Sequence, residues 1–332
     1  MVLVQTAMEN SEQKAKTAET LLEIRNLKTY FKINGSIVKA VDNVSLKIIN
    51  GEILGLIGET GCGKSVLGLS ILRLLPENAK IEGNLLFRGK EILSLSKAEM
   101  RKLRGKEIVL IPQNPSTSLN PLMQIGCQVL EAVIRHHNLK KSEAVSKVLD
   151  LFSKLKLQEP PRKFRDFPHQ LSGGMKQRVL MAMGVACNPK LIIVDEPTKG
   201  LDAVLRIEVV RMLKETASAA GTSMLLITHD FSVAAALAHR IAVMYAGEIV
   251  EMGKTAAVLR NPRHPYTAGL LNSLPGKGFN PIPGSSPSII SLPEGCRFHP
   301  RCSRANMKCT ASHPELVKLN DDHFVRCFNV CF

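Results

Sequence analysis

No tryptophan occurs in these 332 residues, tyrosine occurs three times, and aromatic residues make up only 4% of the chain. Single-stranded nucleic acids stack on aromatic faces, so there is little material for a base-stacking platform. The point matters because acidic residues are also scarce: 29 Asp and Glu face 44 Lys and Arg, a formal net charge of +15. The basic residues are dispersed rather than gathered into one block. They suit a solvated surface beside anionic headgroups and phosphate ligands, and nucleic acid is not expected as a partner. No run of 18 apolar residues occurs, so the chain is not expected to span a membrane by itself. Met1 to Thr20 is polar and lacks a long apolar core, which reads as a frayed tail and not a secretory signal, and implies the cytoplasm. There is no internal repeat and no heptad run.

What is present begins with an apolar fraction of 45%, enough for one large domain and an appendage. The most informative stretch is Gly58-Glu59-Thr60-Gly61-Cys62-Gly63-Lys64-Ser65, followed by Val66. It spells G-x-x-x-x-G-K-S between the apolar run Ile53 to Ile57, read as a buried strand, and Val66 to Leu75, read as a helix. Glycines let successive N–H groups turn inward around a phosphate, and the helix N-terminus adds positive dipole. Lys64 is placed to reach the β- and γ-phosphates, and the Ser65 hydroxyl to ligate Mg²⁺. Cys62 carries two open readings: a thiolate favoured by the helix N-terminus and Lys64, or an inert thiol enclosed by the loop.

Further along, Leu191-Ile192-Ile193-Val194-Asp195-Glu196 is an apolar strand ending in two carboxylates. Asp195 suits Mg²⁺, and Glu196 suits a base that polarises water. Leu171-Ser172-Gly173-Gly174-Met175-Lys176-Gln177 reads as a turn opening a helix, a second anion-binding terminus or merely a cap.

Taken in order, these residues resemble the ATP-binding cassette (ABC) family. Leu171 to Gln177 resembles its LSGGxxQ signature, so Ser172, Gly173, Gly174 and Gln177 are implied to face ATP held by a partner. Gln113 resembles the Q-loop, with a share in Mg²⁺ beside Ser65 and Asp195; Asp202 resembles the D-loop, and His229 the switch histidine. Tyr30 is the expected adenine-stacking aromatic, with Phe31 as runner-up. Thr117 to Pro121, Asn261 to Thr267 and a cysteine-rich tail look like the oligopeptide, dipeptide and nickel importer ATPases, over roughly Leu21 to Cys327. Cys62 stands where that subfamily usually has Ser, Asn114 where it has Asp, and Lys199-Gly200 where Thr-Ala is commoner. None of these removes a ligand or a charge from the chemistry.

The resemblance implies an α/β P-loop NTPase core, with a RecA-like sheet, an antiparallel β subdomain and a helical subdomain, plus a small cysteine-rich C-terminal module. The expected division is a tail over 1–20, an ATPase domain over 21–260 with its helical subdomain at about 115–171, and an extension over 261–332. Leu22 to Ile49 reads as short alternating strands with a turn at Asn34-Gly35, and Gly83 to Ile92 as further strand with a turn near Gly89. Lys97 to Leu103 and Cys127 to Arg135 read as helices. Ser142 to Lys156 reads as a helix with Val145, Val148, Leu149 and Phe152 on one face, broken by Pro160-Pro161. Leu274 to Gly295 reads as a linker.

Cys296, Cys302, Cys309 and Cys327 are spaced C-x5-C-x6-C-x17-C, with Cys331 beyond. Cytosolic disulfides are disfavoured, and the paired knuckles of structural zinc are missing. A metal site or idle thiols remain; the longer irregular spacing suits a [4Fe–4S] cluster on these four at least as well as zinc, the alternative, with Cys331 able to stand in for Cys327, and the resemblance points to the cluster. It further implies a second ATPase chain, a different one by preference, two transmembrane permease subunits, and indirectly an extracellular substrate-binding protein. The implied function is an ATPase (ATP and Mg²⁺) at the cytoplasmic face of the membrane, powering import of peptides, nickel or nickel chelates. A soluble relative acting on nucleic acid or ribosomes is the alternative, as is a scaffold subunit without turnover.

Overall fold

The computed structural model describes residues 19–274, 280–320 and 322–331. The tail expected over 1–20 thus falls almost wholly outside the described residues, as does part of the linker expected over Leu274 to Gly295.

Two sheets organise the chain. β1 (Thr20–Ile33) and β2 (Ser36–Ile49) form an antiparallel hairpin, joined by β4 (Ala79–Phe87) and β5 (Lys90–Glu91) in the order β2-β1-β4-β5. The hairpin turn falls at Asn34-Gly35, whose φ values of 48° and 78° are both left-handed; this is the mirror-image turn that matches strand twist. The strands are long, 14 residues each, where short ones were expected. Register shifts between Ile24 and Leu27 and between Leu27 and Thr29 explain the difference. Each bulge resets the period-two pattern, so one bent strand reads in the sequence as several short ones.

The second sheet is mostly parallel. β3 (Ile53–Ile57), β6 (Ile108–Ile111), β7 (Leu191–Asp195), β8 (Ser223–Thr228) and β9 (Arg240–Tyr245) are followed by antiparallel β10 (Glu248–Lys254), β11 (Val317–Asn320) and β12 (His323–Val325). The order is β11-β12-β10-β9-β3-β8-β7-β6. β3 lies in the middle and is buried on both faces, which is why it reads as an unbroken apolar run. Leu54 and Leu56 pack toward the antiparallel sheet, whereas Ile53 and Ile57 pack toward the helical side.

The helices Ile125–His136 and Lys141–Lys154 form the helical subdomain, with that of Gly173–Val185 behind them. In the second of these Ala144, Val148 and Phe152 are the buried stripe; Val145 and Leu149 sit at its margin, not at its centre. Pro160 and Pro161 open a short helix, Pro160–Lys163, and do not break the preceding one, which already ends at Lys154 with Leu155 as its C-cap and Lys156 left-handed at φ 58°. A proline is tolerated in a first turn, where no intrahelical partner exists for its missing N–H.

The C-terminal extension does not stand apart. β12 pairs with β10 through Glu251–Val325 and Met252–Phe324, so the tail lengthens the central sheet. The helix Pro265–Asn272 places Tyr266 fully buried beneath the phosphate loop.

Candidate functional site

The site gathers at the C-terminal ends of the parallel strands, where an open α/β sheet binds ligands. β3 delivers Gly58 to Lys64, and the helix Lys64–Leu72 begins there. Gly63 has φ 108°, and a Cβ on it would meet the Ala40 carbonyl oxygen at 2.0 Å. Only glycine satisfies both the dihedral and the approach. The buried Lys64 ammonium donates to the carbonyls of Gly58 at 2.7 Å and Glu59 at 2.9 Å. Ser65 opens the helix as an exposed residue, with Thr60 and Gly61 exposed ahead of it and Val66 half-buried behind.

β7 and β8 bring the acids and the histidine. The Ser65 hydroxyl neighbours the Asp195 carboxyl, whose pKa burial raises; Ser65 opposes the rise and Glu196 adds to it. Asp195 Oδ1 is buried with no hydrogen-bond partner. An orphaned carboxylate oxygen beside a serine hydroxyl is a hard-oxygen donor set that fits Mg²⁺. Glu196 sits at φ 47°, a left-handed conformation costing on the order of 1–3 kcal/mol for a non-glycine residue. Its N–H donates to the Ile227 carbonyl at 2.8 Å, and its Oε2 lies 2.8 Å from His229 Nδ1. The ends of two neighbouring interior strands thus hold this carboxylate against an imidazole that is half exposed. Gln113 follows β6, the strand beside β7, and is half-buried. Asn114 after it caps the short helix Pro115–Ser118 by accepting from the Ser116 N–H.

Ser172 is the N-cap of the helix Gly173–Val185 and accepts from the Met175 N–H at 3.3 Å. A Cβ on Gly174 would meet Leu205 at 2.7 Å, whereas Gly173 faces open space. Gln177 is buried, and its Nε2 has no hydrogen-bond partner. Asp202 caps the helix Ala203–Ala220 through the Val204 and Leu205 N–H groups. On that helix Val204 and Ile207 are 68% and 61% exposed, large for aliphatic residues beside a ligand site. Tyr30 is half-buried on β1 and donates its hydroxyl to Asp42.

The thiolate reading of Cys62 is corrected. The side chain is buried under the loop, and burial pushes its pKa up despite Lys64 at 3.8 Å. The dry interior outweighs the nearby cation.

The phosphate loop also has contacts that the motifs alone do not reveal. The Glu59 N–H donates to the Tyr266 hydroxyl at 3.0 Å, and Arg301 grips the Glu59 carboxylate with both terminal nitrogens, at 2.8 and 3.1 Å. Tyr266 lies in Asn261 to Thr267, a stretch the resemblance had flagged without giving it a role. Arg301 carried no signal beyond its place in the cysteine-rich tail.

The chain matches the ABC transporter family over residues 41–199, and the C-terminal region of oligopeptide/dipeptide transporters over residues 250–309. The oligopeptide transport ATP-binding protein AppD of Bacillus subtilis is 42% identical over 316 residues, covering 93% of this chain and 96% of AppD. Its dipeptide counterpart DppD is 40% identical, covering 93% and 95%. The chain belongs to the ABC transporter family. OppD of Escherichia coli, an oligopeptide transport ATP-binding protein, is 38% identical across 94% of both chains. A solved dimeric ATP-binding cassette in a post-hydrolysis state, bound to ADP and Pi, superposes with a TM-score of 0.64 at 29% identity, covering 70% of this chain and 98% of that one. The antiparallel sheet, the helical parts and the P-loop sheet of this ABC ATPase are therefore those of the family.

In the tail of this ABC ATPase, burial raises the pKa of Cys296 and Cys302, and pushes Cys327 up to about 12, with the neighbouring thiols adding to it. All of these cysteines are free. Among the described residues, however, no group of three or more His, Cys, Asp or Glu converges closely enough to hold a metal. As arranged here, the thiols do not fit the expected four-thiolate cluster.

Proposed function

We propose that this chain binds Mg-ATP on its phosphate loop, hydrolyses it against the signature motif of a second cassette, and so drives peptide import through membrane permease subunits. The observation that carries the reading is the Glu196–His229 pair, 2.8 Å apart at the end of the sheet that also presents Lys64 and Asp195. Lys64 holds the β- and γ-phosphates, and Tyr30 the adenine. Ser65, Asp195 and Gln113 would hold Mg²⁺, which would supply charge neutralisation for the phosphoryl group. Glu196 orients the attacking water and takes its proton, and His229 fixes the γ-phosphate. Ser172, Gly173, Gly174 and Gln177 cap ATP on the partner, with Asp202 at the shared seam. The exposed Val204 and Ile207 support a partner chain on that side.

Peptide is favoured over nickel as cargo because the relatives above are named for oligopeptides and dipeptides. Those names also disfavour a soluble nucleic-acid or ribosome ATPase. The transport ATP-binding relatives support permease partners that supply the channel, with this chain at the cytoplasmic face; no helix among the described residues is long and apolar enough to cross a membrane. A partner ATPase of different sequence is preferred, which the mass of the intact complex tests. The tail thiols Cys296, Cys302, Cys309 and Cys327 are proposed to take [4Fe–4S], or zinc, after rearrangement. Iron, acid-labile sulfide and zinc measured on anaerobically purified chain decide this; absence of all three ends the proposal.

The function is tested by reconstituting the complex in vesicles and following uptake. ATP-dependent uptake of short peptides, with peptide-stimulated ATPase activity, is expected. Uptake of nickel alone overturns the cargo. ATPase activity stimulated by RNA or DNA without permeases overturns the transport reading.

A further inference from the structure

The C-terminal extension reaches the nucleotide site twice from one short segment. Cys296-Arg297-Phe298-His299-Pro300-Arg301-Cys302 includes the 3-10 turn His299–Arg301. Phe298 is buried against the rings of Tyr245 and Tyr266, at 5.2 and 5.4 Å. With that aromatic anchor fixed, the flanking arginines diverge. Arg301 pairs in bidentate fashion with Glu59 in the phosphate loop, and Ser286 donates to the same carboxylate. Burial alone would raise the Glu59 pKa; the Arg301 and Ser286 hydrogen bonds overcome it and keep the group below its ordinary range. Arg297 pairs with Asp42 and lies 3.3 Å from Glu248. Asp42 is the acceptor of the Tyr30 hydroxyl, so Arg297 is one carboxylate away from the aromatic expected under adenine.

We propose that the extension forms a wall of the nucleotide site, with Arg301 acting through Glu59 to position the phosphate loop and Arg297 acting through Asp42 to position Tyr30. Both are positioning residues, and neither is expected to touch ATP. The planar guanidinium suits the task, because a bidentate pair fixes orientation as well as distance. Each arginine is buried and is the cation paired with its carboxylate, Arg301 also donating to the Pro283 carbonyl and Arg297 to that of Ala246, so removing it leaves a partly or wholly buried carboxylate without its countercharge. The proposal rests on the nucleotide reading above and deepens it: the two arginines serve different parts of one ligand.

The test is equilibrium binding of Mg-ATP and of Mg-tripolyphosphate to the full-length chain, with the thermal midpoint recorded for each variant. Lys64→Ala checks the underlying site: undiminished ATP binding there defeats the nucleotide reading itself. Given its loss, Arg301→Met should weaken ATP and tripolyphosphate alike, by roughly tenfold to a hundredfold if a charge-assisted pair is lost. Arg301→Lys should recover part of this, and Arg301→Met with Glu59→Gln should bind better than Arg301→Met alone. Arg297→Met should weaken ATP while leaving tripolyphosphate within about twofold, since only the base is affected. Should Arg301→Met not fold, Ser286→Ala serves in its place, with a loss of about two- to threefold for both ligands. Unchanged ATP affinity in the Arg301 or Ser286 variants overturns the proposal. So does equal loss of both ligands in Arg297→Met, which indicates general destabilisation.

Discussion

His264 ties acid stability to the seating of the extension. It is buried, its Nδ1 accepts from the Tyr266 N–H, and its backbone N–H donates to Glu251. Burial pushes its imidazole from 6.5 down to about 4, with Glu251 opposing. Because the folded value lies below the unfolded one, unfolding takes up a proton between the two. Stability present above about pH 6.5 is therefore lost as pH falls toward about 4, by roughly 3 kcal/mol over the whole window. His264→Asn, which can still cap, should flatten the melting temperature against pH in this range; an unchanged slope contradicts the assignment. Cys62 belongs to the same scale. Its buried, poorly ionised thiol should alkylate slowly with or without Mg-ATP, as mass-spectrometric labelling will show, whereas rapid labelling that ATP blocks would restore the reactive thiolate. Lys64, Ser65, Asp195, Glu196 and His229 were legible because their chemistry is written locally, in short motifs. Arg301 and Arg297 were not, since they lie 242 and 255 residues from their carboxylates and no spacing rule reaches so far.

Elements were legible where their ends carry local signals. The start of Lys97–Leu103 is legible because Ser96 and Glu99 make a capping box. The bent β1 was less legible, its bulges breaking the alternation. The buried stripe of Lys141–Lys154 was read slightly off centre, since Ala144 gives a weak apolar signal although it packs fully. The phosphate loop itself makes a sharp prediction. In Gly63→Ala the left-handed backbone and the Ala40 carbonyl conflict with the new methyl group. The conformation alone costs about 1–3 kcal/mol. The variant should lose ATP binding in titration calorimetry and melt at a lower temperature; wild-type affinity would mean that the loop is not held as described.

At the scale of the whole molecule, motif order gave the cassette, and the relatives agree along nearly its full length. The place of the tail was harder to read. Few large apolar residues follow Leu274, a composition that by itself suits a module with its own staple, yet two short strands extend the central sheet and one arginine holds the phosphate loop. A segment poor in apolar residues can lean on an existing core through ion pairs and strand pairing, and composition does not show this. ATP hydrolysis by this chain rests on Glu196 at the C-terminal end of β7. Its most direct measurement is ATP turnover and nucleotide retention in the assembled transporter, wild type against Glu196→Gln. The account predicts that the variant keeps ATP bound and loses turnover by about 10²–10⁴-fold, as removal of a positioned base should. Hydrolysis near the wild-type rate would contradict it.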